Sequence, residues 1–247
     1  MKFTYLLGAF YFSVIWMVLV GLFPKERNVI FWSSLACSPA GPISEYWHRA
    51  DYWRPDLISA IHIGNWTFGL EDFLFAFAFG GICTGIFELI MRRVWQAEDI
   101  RFKLKGFMKF LSIMLFSLML MGALSWLFHL NSLLAISIAF MLIAGLIFYR
   151  HSTFLFPGLV TAIVMMFFMW LFYWGFFLRF YPDVIGRWWF SNAFSGITLV
   201  KVPLEEMIWA GSAGAFIGPA VRYSLSVPQD TKLQNPLAAG KSSPAAG

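Results

Sequence analysis

Three successive stretches, Phe107–Phe128, Leu130–Tyr149 and Thr153–Phe177, run through almost no charged residue. An uncharged apolar segment of about 20 residues is long enough to cross the hydrocarbon core of a bilayer as a helix. Only helices and closed barrels satisfy their backbone groups there. Segments of this length, too long for barrel strands, therefore restrict the chain to an all-α, polytopic membrane protein. Composition agrees: 60% of residues are apolar, 13% are charged and the mean hydropathy is +0.70, which excludes an ordinary soluble domain.

Four further stretches complete an expectation of about seven transmembrane helices. The first is Phe3–Phe23, which follows only Lys2, lacks a small-residue cleavage site and reads as a retained span. The second, Asn28–Trp47, is interrupted by Pro39, Gly41 and Pro42, with Glu45 just beyond the break. Such breakers are tolerated where neighbours or a polar cavity satisfy the freed backbone groups. Glu45 reads first as an interfacial glutamate and second as a cavity-lining one. A polar connection over 48–66 leads to the third span, Thr67–Met91, and the seventh is Leu199–Tyr223. Residues 1–225 form one membrane domain, and 226–247, rich in Pro, Ala, Gly and Ser, read as a disordered tail.

Against this apolar background, four acids stand out. Glu71 and Asp72 open the third span; Glu205 and Glu206 open the seventh. Ionisable groups inside a membrane helix are costly and mark a functional site by default. Glu88, four residues before Arg92, is expected to pair with it at the membrane surface and is left out of the site. Cys37 and Cys83 lie in apolar runs and read as small buried hydrophobes. His48, His62, His129 and His151 show no metal-ligand spacing, no glycine fingerprint for a dinucleotide is present, and no cofactor or metal is expected.

The acidic pairs belong to an internal repeat. Tyr46-Trp47, seven residues, then Pro55-Asp56 recurs as Tyr173-Trp174, seven residues, then Pro182-Asp183, an offset of 127 that also carries span one onto span five. Glu71 to Gly80 and Glu205 to Gly214 are both nine residues. Spans 1–3 thus repeat as spans 5–7, with halves near 1–92 and 130–225. An even number of crossings separates equivalent spans, so the repeat is parallel and sets both acidic pairs at one depth. Gly80, Gly81, Gly85, Gly211, Ala213, Gly214 and Gly218 are expected to let backbones approach near the repeat axis. Lys and Arg divide six to twelve between the two sides, which places the amino terminus outside and the tail in the cytoplasm of a cell-membrane protein. The basic stretch Arg92–Lys109, with Arg93, Arg101, Lys103 and Lys105, reads as a cytoplasmic loop on anionic lipid, not a nucleic-acid surface.

At the two acidic segments the chain resembles the membrane-bound lycopene cyclases, the kind found as a fused protein or as two small subunits. Their Pro-Leu-Glu-Glu signature is matched fully by Pro203-Leu204-Glu205-Glu206. Gly69-Leu70-Glu71-Asp72 departs from it by Gly for Pro and Asp for Glu, and Trp53-Arg54-Pro55-Asp56 also looks familial. The resemblance implies a redox-neutral isomerase, of the intramolecular lyase type, that closes a ring at the end of an acyclic carotenoid. It implies Glu71 and Glu205 as central catalytic acids with Asp72 and Glu206 as partners; the parallel repeat, which sets both pairs at one depth, adds the expectation of one composite site between spans three and seven. Aromatic faces at Trp66, Phe75, Trp189 and Trp209 are candidates to bind the substrate and shield a carbocation. The expected partners are a hydrophobic isoprenoid and the bilayer; homo-oligomer formation is left open. A cyclase of another isoprenoid, a transporter and a non-catalytic carotenoid- or lipid-binding protein are the alternatives.

Overall fold

The computed structural model describes residues 3–95, 97, 102–190, 192 and 194–225. The chain is mostly helical. In order it forms α1 (Thr4–Leu22), α2 (Arg27–Cys37), α3 (Ala40–Asp51), the hairpin β1 (Ile61–Ile63) and β2 (Trp66–Phe68), and α4 (Leu70–Trp95). There follow α5 (Leu104–Phe128), α6 (Ser132–Arg150) and α7 (Leu155–Phe172). A π-turn over Tyr173–Phe177 leads from α7 into α8 (Leu178–Phe180). The chain ends in α9 (Val184–Trp188), the hairpin β3 (Thr198–Leu199) and β4 (Val202–Pro203), and α10 (Leu204–Leu225). The expected tail, and Arg101 of the basic loop, lie outside the described residues.

Five segments are long and apolar enough to cross a membrane: Thr4–Leu22, Leu70–Trp95, Leu104–Phe128, Ser132–Arg150 and Ser152–Phe180. The expected second span falls outside that set because Ser38-Pro39 divides it into α2 and α3. The break is a kink and not a separation: the Ser38 N–H still bonds to the Ser34 carbonyl, and the Ile43 N–H bonds to the Pro39 carbonyl. The Ser38 hydroxyl donates across to the Phe73 carbonyl of α4 at 3.1 Å. The expected seventh span begins later than Leu199, because Thr198–Pro203 forms a hairpin before the helix starts.

Two helices form the axis of the molecule. α10 packs against α7, α6, α4 and α5, and α4 packs against α1, α2 and α3 as well. Lower polarity is demanded of the outer helices, which meet lipid; α10 carries Gly, Ala and Ser and is buried over most of its length. The glycines explain how closely these helices sit. A Cβ at Gly80 would lie 2.5 Å from Cys37 of α2, and one at Gly214 would lie 2.9 Å from Met165 of α7. Gly81 and Gly85 likewise admit Ser34 and Ile30 of α2, and Gly211 admits Met166 of α7. The glycine faces of the two axial helices therefore turn outward, toward neighbours within the same half. Gly218 alone of these glycines faces across, onto Phe87 of α4. The close packing expected of these glycines is therefore made mostly with α2 and α7, and between the two axial helices at Gly218.

The far end of the axis is closed by buried charge. Glu88 does not pair with Arg92: its Oε2 accepts from Arg222 Nη1 of α10 at 2.6 Å, while Arg92 Nε reaches Glu26 Oε1 at 2.8 Å. A carboxylate so deeply buried needs a close, directional partner, which the guanidinium of α10 supplies and a surface pair would not.

Candidate active site

Near the start of α4 and α10 the helices part around a cavity of about 130 Å³. The first turns of α1, α4 and α10 and the last turns of α3 contribute to it, through Tyr5, Asp72, Glu206, Glu45 and His48. Phe172, Tyr173 and Phe177 of the α7 π-turn complete one wall. The extra residue of a π-turn shifts the helix face, and such turns recur at functional sites.

Three carboxyl groups line this space. Asp72 accepts the Tyr5 hydroxyl at 2.7 Å on Oδ1 and the Gly69 N–H at 2.7 Å on Oδ2. Glu45 accepts the Trp53 indole N–H at 3.0 Å on Oε1, and its Oε2 lies 3.9 Å from Arg49 Nη1. Glu206 accepts the Trp189 indole N–H at 2.8 Å on Oε1. All three are buried. Gly41 lets α3 press onto the start of α4, since a Cβ there would fall 2.2 Å from the Asp72 carbonyl oxygen. That approach brings Glu45 alongside Asp72.

The roof joins the two halves of the chain. Trp53 and Trp189 form an antiparallel bridge; the Arg54 N–H donates to the Trp188 carbonyl at 2.6 Å and the Phe190 N–H to the Tyr52 carbonyl at 3.0 Å. The two indoles that hold Glu45 and Glu206 are thus backbone neighbours. Below them the wall is aromatic: Trp209 of α10 stacks on Phe79 at 4.9 Å and on Phe75 at 6.2 Å, both from α4. Faces of this kind stabilise a positive charge placed over them.

The eight expected site residues divide evenly. Asp72, Glu206, Phe75 and Trp209 line the cavity, whereas Glu71, Glu205, Trp66 and Trp189 do not. Glu71 points back along the chain, accepting the Ile58 N–H at 2.6 Å, the Ser59 N–H at 3.3 Å and the Ser59 hydroxyl. Glu205 does the same in its half, accepting the Ser195 N–H at 2.6 Å. Neighbours on a helix project about 100° apart, so one acid of each pair faces the cavity and the other anchors the preceding loop. Trp66 donates its indole N–H to the Pro42 carbonyl at 2.7 Å and fastens the β1–β2 hairpin to α3. Trp189 acts on the cavity through Glu206.

Sequence reasoning ranked Glu45 as interfacial; the structure buries it in the cavity, because the Pro39 kink and Gly41 turn the end of α3 inward. The proline–glycine break beside an acid was the available signal. His48, one helical turn on and on the same face, follows from the same kink. Tyr5 carried no signal: it is one aromatic among many in the first span. Among the described residues, no group of three or more His, Cys, Asp or Glu is placed to hold a metal ion.

These features define a mostly helical protein with helices long and apolar enough to cross a membrane, and a largely apolar, aromatic-walled cavity holding three acids between two axial helices. Residues 131–223 match the family model described as lycopene cyclase. The chain is similar to that family over this stretch of its second half. No curated protein and no solved structure matches the chain.

Proposed function

We propose that this protein is a carotenoid cyclase, an isomerase that closes a ring at the end of an acyclic, lycopene-type chain by adding and removing a proton. The observation that carries the reading is the single cavity in which Asp72 of α4 and Glu206 of α10 meet stacked aromatic faces. Glu206 is the proton donor. Among the described residues its one hydrogen bond, from Trp189, engages Oε1 and leaves Oε2 to carry the proton. Asp72 has a donor on each oxygen, the arrangement of an ionised acceptor, and serves as the counter-charge.

In the reaction the π pair of the terminal alkene takes the proton of Glu206 and leaves a tertiary cation. An internal alkene then attacks, forming the ring bond and moving the charge to a ring carbon. Loss of a neighbouring proton places a double bond in the ring. Asp72, Glu45 and the faces of Phe75, Phe79 and Trp209 stabilise the charge in between. A carotenoid is about as long as the roughly 30 Å hydrocarbon core. A cavity of about 130 Å³ admits one folded end, so two-ended substrates are processed one end at a time.

The kinked α2–α3 and the buried α10 bring the crossings to seven in this reading, with the amino terminus outside and the cavity near the outer surface. A parallel repeat is supported by like packing: α1 lies on α4 as α6 lies on α10, a hairpin precedes each of α4 and α10, and Gly80 and Gly214 admit α2 and α7. The test is expression in cells that accumulate lycopene, followed by pigment chromatography. A mono- or bicyclic product is expected. An unchanged pigment profile, with the protein verified in the membrane, overturns the reading, and pigment retained by Glu206→Gln without turnover is expected of the enzyme.

A further inference from the structure

The acids do not exhaust the polar groups of the cavity. His48 is buried and lines it. Its Nδ1 lies 2.6 Å from the Ser132 hydroxyl oxygen at the start of α6. That hydroxyl donates to Asp51 Oδ1 at 2.6 Å, and the Ser132 N–H donates to Asp51 Oδ2 at 2.9 Å. Asp51 ends α3 and is partly exposed. A chain of three groups therefore runs from the rim to the cavity.

The order of donors sets the tautomer. A carboxylate only accepts, so the single hydroxyl proton of Ser132 goes to Asp51. The serine oxygen then accepts, and Nδ1–H of His48 is the donor. In the neutral ring the lone pair sits on Nε2, which makes no hydrogen bond to the described residues. Two bonds from Ser132 to one carboxylate fix the serine, and through it the ring. Helix capping does not explain the histidine. Asp51 satisfies the Ser132 N–H and Asn131 the Leu134 N–H without it.

We propose that His48 is the base of the ring closure, with Ser132 and Asp51 as its positioning residues. The proposal rests on the cyclase reading above. In the last step the C–H bond next to the cationic ring carbon breaks, its electron pair becomes the ring double bond, and the proton goes to Nε2. Glu206 has supplied one proton and His48 has received one, so the reaction is redox-neutral and the product is an isomer of the substrate. The imidazolium is balanced by Asp51 through Ser132 and by Glu45, one turn back on α3. Two of the three carboxylates are poorer candidates: Asp72 already accepts two donors, and Glu206 stands where the proton was added, not where it leaves. Glu45, with Arg49 Nη1 3.9 Å from its Oε2, is the competing base, and Glu45→Gln retaining a single ring isomer excludes it. A base with its own position also decides which neighbouring carbon loses its proton.

The test uses the whole protein in lycopene-accumulating cells, with the ring double bond located in the isolated pigments. His48→Gln is expected to lower ring product about 100-fold, the usual scale of general-base loss. The residue that forms is expected to carry mixed double-bond positions or an alcohol from capture of the cation by water. Wild-type yield of one isomer from His48→Gln, beside an inactive Glu206→Gln, overturns the proposal and leaves the cyclase reading standing. Wild-type yield from Glu206→Gln overturns its donor role instead. Should His48→Gln fail to reach the membrane, Ser132→Ala and Asp51→Asn decide, assayed with substrate deuterated at the carbon that loses its proton. An isotope effect larger than wild type is expected in both; an unchanged one overturns the proposal.

Discussion

The two halves of the chain bring different materials to one cavity. At the offset of 127, Glu45 falls opposite Phe172 and His48 opposite Gly175. Asp72 is held by Tyr5 and Gly69 from its own half, while Glu206 has only Trp189 among the described residues. The first half thus supplies most of the polar machinery, and the second supplies one acid and an apolar wall. A molecule with two equivalent sites would have kept both sets. On the proposed reading, the asymmetry teaches that the two halves serve a single site, one as the electrostatic frame and the other as the donor and the mould.

The strongest way to break this comparison is to disable one acid from each half. Glu206→Gln and Asp72→Asn are each expected to lower ring product at least 100-fold, by loss of the acid and of the counter-charge. The measurement is pigment chromatography in lycopene-accumulating cells with membrane protein quantified; monocyclic product from either variant means that the halves work separately. Glu45→Gln keeps the shape of the side chain and removes a charge that the second half lacks. About a tenfold fall is expected, with initial rates in isolated membranes as the readout and full activity as the contrary result.

Packing offers a milder test. Gly41→Ala places a methyl against the Asp72 carbonyl and is expected to cost about 1–3 kcal/mol with a matching drop in melting temperature. Gly145→Ala on α6, where an added Cβ meets nothing within 4 Å, is expected to raise stability by up to about 1 kcal/mol. Thermal unfolding in detergent compares them, and equal shifts would refute the close approach of α3 to α4. The smallest effect on turnover is expected at Glu205, one of the two loop anchors. Glu205→Gln loses a charge-assisted bond to one N–H, and Glu71→Gln one to two N–H groups and a hydroxyl. Falls of about threefold and tenfold in turnover are expected, with Glu71 the larger; the reverse order would mean that Glu205 reaches the substrate.

Much of this was legible in the residues. Long uncharged runs pointed to apolar helices, and an acidic pair at the head of each of two spans pointed to the end of the molecule where the cavity lies. Which member of each pair faces inward was not legible. Adjacent helical residues differ by about 100°, and only tertiary packing sets the zero of that angle. The roof pairing of Trp53 with Trp189 and the reach of Tyr5 to Asp72 join residues 136 and 67 positions apart, and no local pattern encodes such contacts. The Glu88–Arg92 spacing misled because an i,i+4 pair is worth only a few tenths of a kcal/mol. A buried partner on another helix easily outweighs it.

That outcome has a consequence for assembly. Glu71 to Glu205 and Glu88 to Arg222 are both separated by 134 positions, so the buried ion pair joins equivalent points of the two halves. Were two first halves to associate in this way, glutamate would confront glutamate; two second halves would oppose arginine to arginine. Only the mixed couple is neutral. On the proposed repeat the pair would work as a key against self-association of either half, specificity obtained by penalising the wrong partner. Severed in the loop after α4, the two pieces would still be able to recognise one another as a hetero-pair.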